Sequence, residues 1–172
     1  MEILEQLTKE DIREFFSKNW MTHDAMWLGS CMQELGPEKA NKINKTAVRL
    51  MAAIEIKRVM KAMGRPKDAA VQTFDELAEI IDTAFRLVQT SFLTFDFSFP
   101  EKNRLCGVFN QCFAHDGVKR FGMIDDYECG IVERVKGWLD GLNVTYKMTP
   151  EFTGCLMHQH GECVVNLFFD LD

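Results

Sequence analysis

The segment Cys155-Leu-Met-His158-Gln-His160-Gly-Glu-Cys163 sets four transition-metal ligands within nine residues, and Cys129 lies upstream of it. Thiolate sulfur and imidazole nitrogen are ligands of zinc, and a structural zinc site takes four of them at tetrahedral corners. Cys129, Cys155 and Cys163 with one of His158 or His160 would complete that set. Chain geometry limits how. Were Gly161-Glu162 the tip of a tight hairpin, Cys163 would pair with His160, and Cys155 would lie about 16 Å away along an extended strand. One ion could not touch both. A shared metal therefore requires residues 156–162 to fold back as a loop, which Gly161 permits. The competing reading makes Cys155 and Cys163 small buried apolar residues on strands, with the histidines exposed near a turn.

Other residues could also do chemistry. Trp20, His23, Asp24, Trp27 and Cys31 recur at helical spacing, so two indoles could flank one carboxylate and form the wall of a small-ligand pocket. The alternative role for Trp20 and Trp27 is as core anchors, with His23 and Asp24 at a helix start. Cys129 could serve as a nucleophile with His115 or His23 as its base, which needs the two within hydrogen-bond reach. Cys112 and His115 share a helix face and could form a second site. Phe95, Phe97 and Phe99 are core residues or the lining of an apolar cavity, depending on what covers them. The run Lys39, Lys42, Lys45, Arg49, Lys57, Arg58, Lys61, Arg65, Lys67 reads as a solvated basic face, or as one that turns Arg49 or Arg58 inward to a ligand carboxylate.

These residues must be positioned by a two-part pattern. Thr8 with Asp11 resembles a capping box, and Leu7, Ile12, Phe15 and Phe16 follow at helical spacing, which predicts a helix over 8–18 and a second over 23–35. Gly36-Pro37 opens a third helix, running to about Met63. Thr73 with Glu76 caps a fourth. The period then changes to two: Leu93, Phe95, Phe97 and Phe99 alternate with polar residues, predicting a half-buried strand. A second strand near 104–110 follows, then a short helix over 112–121, a helix opened by Asp125 with Glu128, and strands over 143–149 and 163–170. The expected fold is α+β. Residues 1–90 form a helical part and 91–172 an α+β part with an antiparallel sheet and a C-terminal metal-bound lobe, the two sharing one core.

Composition bounds the function. A chain of 172 residues with 47% hydrophobic and 27% charged side chains is ordinary for a globular protein. The net charge of −6 opposes a polyanion, and no basic block with interleaved aromatics offsets it, so no nucleic-acid partner is expected. No uncharged stretch approaches the roughly 20 residues of a membrane span. The acidic, amphipathic start MEILEQLTKEDIREFF does not read as a signal peptide, so a cytoplasmic location is expected. Six cysteines there are more readily free, metal-bound or catalytic than disulfide-bonded.

The run from Cys129 through Glu151-Phe-Thr-Gly-Cys155 to Gly161-Glu-Cys163-Val-Val resembles the C-terminal half of the 4-vinyl reductase domain family, the small-ligand module also found as the sensor of phenol-responsive activators. The resemblance covers roughly residues 90–172 and implies that Cys129, Cys155 and Cys163 are zinc ligands. The family's fourth ligand is a glutamate three residues before the middle cysteine, where this chain has Phe152. His158, His160, Glu151 or Cys112 would have to replace it. The N-terminal pattern Trp-x2-His-Asp-x2-Trp, with Gly36, Ala40, Asn41 and Asn44, is similar to the helical part of aminothiazoline-carboxylate hydrolase-like proteins, which would make His23 and Asp24 acid/base residues near an activated thiol.

The reading these residues favour is a small-molecule-binding protein: a structural zinc lobe beside a hydrophobic pocket for a small hydrophobic or aromatic ligand, with Trp20, Asp24, Trp27, Phe95 and Phe97 as its lining. The alternative is a hydrolase of a small C–N substrate, acting through Cys129 or a zinc-bound water. Four protein ligands would close the metal site, whereas three plus water would keep it reactive. A third reading is an interaction module that forms a homodimer through its N-terminal helices and carries no chemistry.

Overall fold

The computed structural model describes residues 5–172; Met1 to Leu4, the beginning of the segment read as lacking a signal sequence, lie outside the described residues. The chain forms six helices and four strands among those residues: α1 Lys9–Leu35, α2 Pro37–Ala62, α3 Phe74–Val88, β1 Thr94–Glu101, β2 Arg104–Gln111, α4 Phe113–Arg120, α5 Gly130–Gly141, β3 Lys147–Thr149, α6 Leu156–His160 and β4 Cys163–Phe168. No helix among them is long and apolar enough to cross a membrane. The fold is α+β. Its sheet has the order β1-β2-β4-β3 and every pairing is antiparallel.

Local chemistry explains most boundaries. Both capping boxes form: the Thr8 hydroxyl accepts from the Asp11 N–H, and the Thr73 hydroxyl accepts from the Glu76 N–H, each with the returning carboxylate bond. Gly36 at φ +80° separates α1 from α2, and Pro37 starts α2. The break expected between residues 18 and 23 is absent, because Asn19-Trp20-Met21-Thr22 holds neither glycine nor proline and the helix runs through. The α5 helix starts at Gly130, not at Asp125; the preceding turn is instead held by Asn41 of α2, whose amide donates to the Asp126 carbonyl at 2.7 Å and accepts from the Glu128 N–H at 3.0 Å. The expected strand over 143–149 is shortened to Lys147–Thr149, and the segment expected to loop back over 156–162 contains the single-turn helix α6.

One apolar core joins the helices to the sheet. It draws Ile56 and Met60 from α2, Ile80, Ile81 and Phe85 from α3, Phe95 and Phe109 from the strands, and Trp138 and Leu139 from α5. The closest helix contact is between α2 and α5, where Gly137 and Gly141 lie one turn apart. A Cβ at Gly137 would come 2.4 Å from the Arg49 carbonyl oxygen and 2.7 Å from the Ala52 Cβ; one at Gly141 would come 2.6 Å from Ile56. The absent side chains let the two backbones approach, and that approach fixes where the α5 N-terminus points.

Three residues of the basic run of α2, Arg49 among them, are tied into this frame rather than aimed at a ligand. Lys45 pairs with Glu128, Arg49 with Asp140 at 2.5 Å and Glu133 at 3.3 Å, and Lys57 with Asp68 at 2.7 Å. Apolar side chains on the outer faces of α1 and α2, among them Phe16, Trp27, Leu50 and Ile54, are exposed.

Candidate functional site

Three cysteines occupy equivalent places in three helices. Cys112 is the N-cap of α4, Cys129 of α5 and Cys155 of α6, while Cys163 is the first residue of β4. All four border one small cavity, together with His115, Tyr127, Phe152 and Leu156. The convergence follows from backbone ties. The Cys129 N–H donates to the Gly154 carbonyl at 3.2 Å, and Cys163 stands opposite Phe109, three residues before Cys112, in the β2–β4 register. Gly154 adopts φ +86°, a turn conformation that L side chains rarely take, and it delivers Cys155 to the cavity.

The apolar cavity favours the neutral thiol at Cys112, Cys129 and Cys163. Burial pushes Cys129 up to about 12, with the N–H groups of Val132 and Ile131 at the start of α5 opposing the rise. Burial also pushes Cys163 up to about 12, and raises Cys112 against the opposing N–H groups of His115 and Ala114. A neutral thiol is a poor nucleophile and a poor ligand; a cation brought among these sulfurs would reverse the balance, with the positive ends of α4 and α5 favouring thiolates. Among the described residues no group of three or more His, Cys, Asp or Glu side chains is set to hold a metal ion. The four thiols thus border the cavity without closing on a coordination site.

The histidines expected to supply the fourth ligand stand elsewhere. His158 and His160 are exposed on α6, and His158 Nε2 lies 2.9 Å from the Asp125 carboxylate. Glu151 is exposed as well, and Phe152, where the resemblance would put a carboxylate, is part of the cavity wall. Cys112 is the fourth cysteine on the cavity wall.

A larger cleft lies on the far side of one wall. It has a cavity volume of about 80 Å³ and lies between α1, α2, α4 and the start of α5. Ala114, Tyr127 and Ile131 border both the cleft and the cysteine cavity. The remaining wall is mostly apolar, with Met21, Leu28, Val48, Phe113 and Met123; the polar exceptions include Asp24, Asn44 and Arg134. Its lining, mostly apolar with a few polar groups, is of the kind small-molecule sites have.

The residues read from the sequence divide accordingly. Trp20 and Asp24 border the cleft. Trp27, one turn further along α1, is 60% exposed and is not part of that wall. Phe95 is buried and Phe97 half-buried under α3, with ring centroids 5.1 Å and 4.6 Å from Phe85, so the β1 face meets the core and not the cleft. His23 is exposed, Cys129 faces the cysteine cavity and Asp24 faces the cleft, so the trio suggested for hydrolysis is not gathered. Cys31 packs in the cluster around Leu28 and Met32.

Residues that the sequence did not single out complete the cleft. Arg134 donates to Glu55 through Nε at 2.8 Å and Nη2 at 2.5 Å, and its guanidinium stands 5.0 Å from the Trp20 ring centroid. The Tyr127 hydroxyl oxygen accepts from the Gly130 N–H at 3.0 Å. Buried Asn41 and Asn44, one turn apart on α2, were the readable signal, because asparagines on the inner face of a helix need partners. Tyr127 and Arg134 had none.

The sequence pattern of the family of unknown function DUF6125 matches residues 4–161. The chain belongs to this family. No curated protein matches it. The DUF6125 span takes in every residue named on the cleft wall and three of the four clustered cysteines, and it ends two residues before Cys163.

Proposed function

We propose that this DUF6125 member is a cytosolic small-molecule-binding protein in which the cleft between α1, α2, α4 and α5 receives a small hydrophobic or aromatic ligand, and a zinc ion held by Cys112, Cys129, Cys155 and Cys163 braces the wall behind it. The observation that carries the reading is the convergence of four thiols from four separate segments on one cavity that shares Ala114, Tyr127 and Ile131 with the cleft. The donor types suit the ion, four sulfurs in an apolar surround with three at helix N-caps, and binding would draw them closer than they stand in this structure, where they form no coordination group. Zinc so held is a structural brace, since four thiolates leave no position for a reactive water. What the chain's own residues do is then limited to binding. Trp20, Phe113 and Tyr127 offer aromatic faces, and Asp24 and Asn44 offer polar contacts, while the zinc lobe holds the turn that carries Tyr127.

Metal analysis of the full chain purified without added metal tests the brace, with about one zinc per chain as the expected content. Cys112→Ser should lose that zinc and unfold at lower temperature, whereas His158→Ala should retain it. Wild-type protein free of zinc, with Cys112→Ser equally stable, would overturn the metal reading. Zinc lost from His158→Ala but kept by Cys112→Ser would return the fourth position to the histidine.

A further inference from the structure

Taking the cleft to be a ligand site, as above, we propose that its occupant carries a protonated amine on a small apolar or aromatic body, and that this amine pairs with the Asp24 carboxylate beside Trp20.

The charges on the cleft wall support this. Two of its residues are ionic, Asp24 and Arg134. The Arg134 cation is already answered: both Glu55 carboxylate oxygens accept from it, and Glu55 also accepts from the Trp138 Nε1–H at 2.8 Å. Asp24 is different. Half-buried, it receives no hydrogen bond from any described residue, and the charges that reach it are those of the adjacent His23 and the Glu55-bound Arg134. One negative charge is therefore left uncompensated on an apolar wall. A carboxylate ligand would be repelled by it, and a neutral hydrocarbon would strip its water without replacing it, whereas an ammonium group supplies a charge-assisted hydrogen bond.

A second, independent feature points to the other end of the ligand. Asn44 is 9% exposed, borders the same cleft and makes no hydrogen bond with any described residue. Beside it Gly130 has no side chain; a Cβ there would come 3.1 Å from Asn44 Nδ2 and 3.8 Å from the Tyr127 hydroxyl. That hydroxyl accepts from the Gly130 N–H and keeps its own hydrogen to donate. A buried amide and a hydroxyl without charge suit a neutral polar group, such as a hydroxyl or carbonyl. The ligand class is an amine with an apolar core and a neutral hydrogen-bonding group.

The test compares three probes with similar aromatic bodies, 2-phenylethylamine, 2-phenylethanol and 3-phenylpropionate, binding to the full chain by calorimetry and by tryptophan fluorescence. The amine should bind wild type roughly tenfold or more tightly than the alcohol, as one charge-assisted hydrogen bond would give, and the carboxylate should bind least well. In Asp24→Asn the amine should fall to the affinity of the alcohol, with the alcohol unchanged. This separates pairing at Asp24 from the general attraction of a chain with net charge −6 for cations. An alcohol or carboxylate that binds wild type as well as the amine does overturns the proposal while leaving the cleft reading intact, as does an amine preference that survives in Asp24→Asn. If no probe binds, whatever its head group, the cleft reading falls and the amine with it. Should Asp24→Asn not fold, the wild-type series repeated in high salt decides: an amine preference that persists supports pairing in the cleft, and one that vanishes overturns it.

Discussion

Asp24 is held where folding does not favour it. Burial raises its pKa from the ordinary 3.8, with His23 and Arg134 opposing only in part. The folded state thus prefers the protonated carboxyl, the unfolded chain releases the proton first, and stability is lost as pH rises through the raised value. Asp24→Asn should accordingly be more resistant to urea than wild type at neutral pH, and the difference should close once the pH falls below about 4, where both side chains are neutral in both states. A variant less stable than wild type at pH 7 would show that Asp24 anchors the fold. A residue that lowers stability and faces a cleft is one that binding, not folding, explains. The i, i+4 spacing of Trp20 and Asp24 was readable, because both lie on one helix. Tyr127 and Arg134 were not, because they reach the same space from an irregular turn and from α5.

At the scale of elements, the decisive contact is α2 against α5. Gly137→Ala would put a methyl carbon 2.4 Å from the Arg49 carbonyl oxygen, a backbone atom that cannot rotate away. Overpacking of this kind costs about 2 kcal/mol even after the gain in helix propensity, and urea denaturation should show it. Gly117→Ala is the control: nothing lies within 4 Å of a Cβ there, so α4 should gain a few tenths to about 1 kcal/mol. Periods were legible where capping boxes, Gly36-Pro37 and the alternating phenylalanines act locally, and were not at the continuous α1, the start of α5 or the short α6. The β1 face illustrates the limit. Alternation shows that Phe95 and Phe97 share a side, but only the placement of α3 and Trp138 shows that this side is core.

For the molecule as a whole, the cysteine cavity ties stability to pH, and on the zinc proposal the direction would reverse once metal is bound. In metal-free protein the buried Cys129 and Cys163 thiols titrate near 12 against an ordinary 9.0, so the unfolded chain loses these protons first, and stability present below pH 9.0 is lost as pH rises toward 12. Zinc-loaded protein should instead weaken toward acid, where protons compete for the thiolates. Urea midpoints measured across both ranges, before and after chelation, check this; identical alkaline curves would mean that no ion occupies the cavity. The sequence by itself determined the α+β composition, α2, α3 and the β1–β2 pair, and the crowding of thiols near the C-terminus, because those follow from periods, caps and residue types acting over a few positions. Only the tertiary structure decided which thiols meet. Cys112 joins Cys129, Cys155 and Cys163, while His158 turns outward to Asp125, because the β2–β4 register, the α2–α5 contact and the turn at Gly154 bring distant segments to one wall, and no local rule encodes that distance.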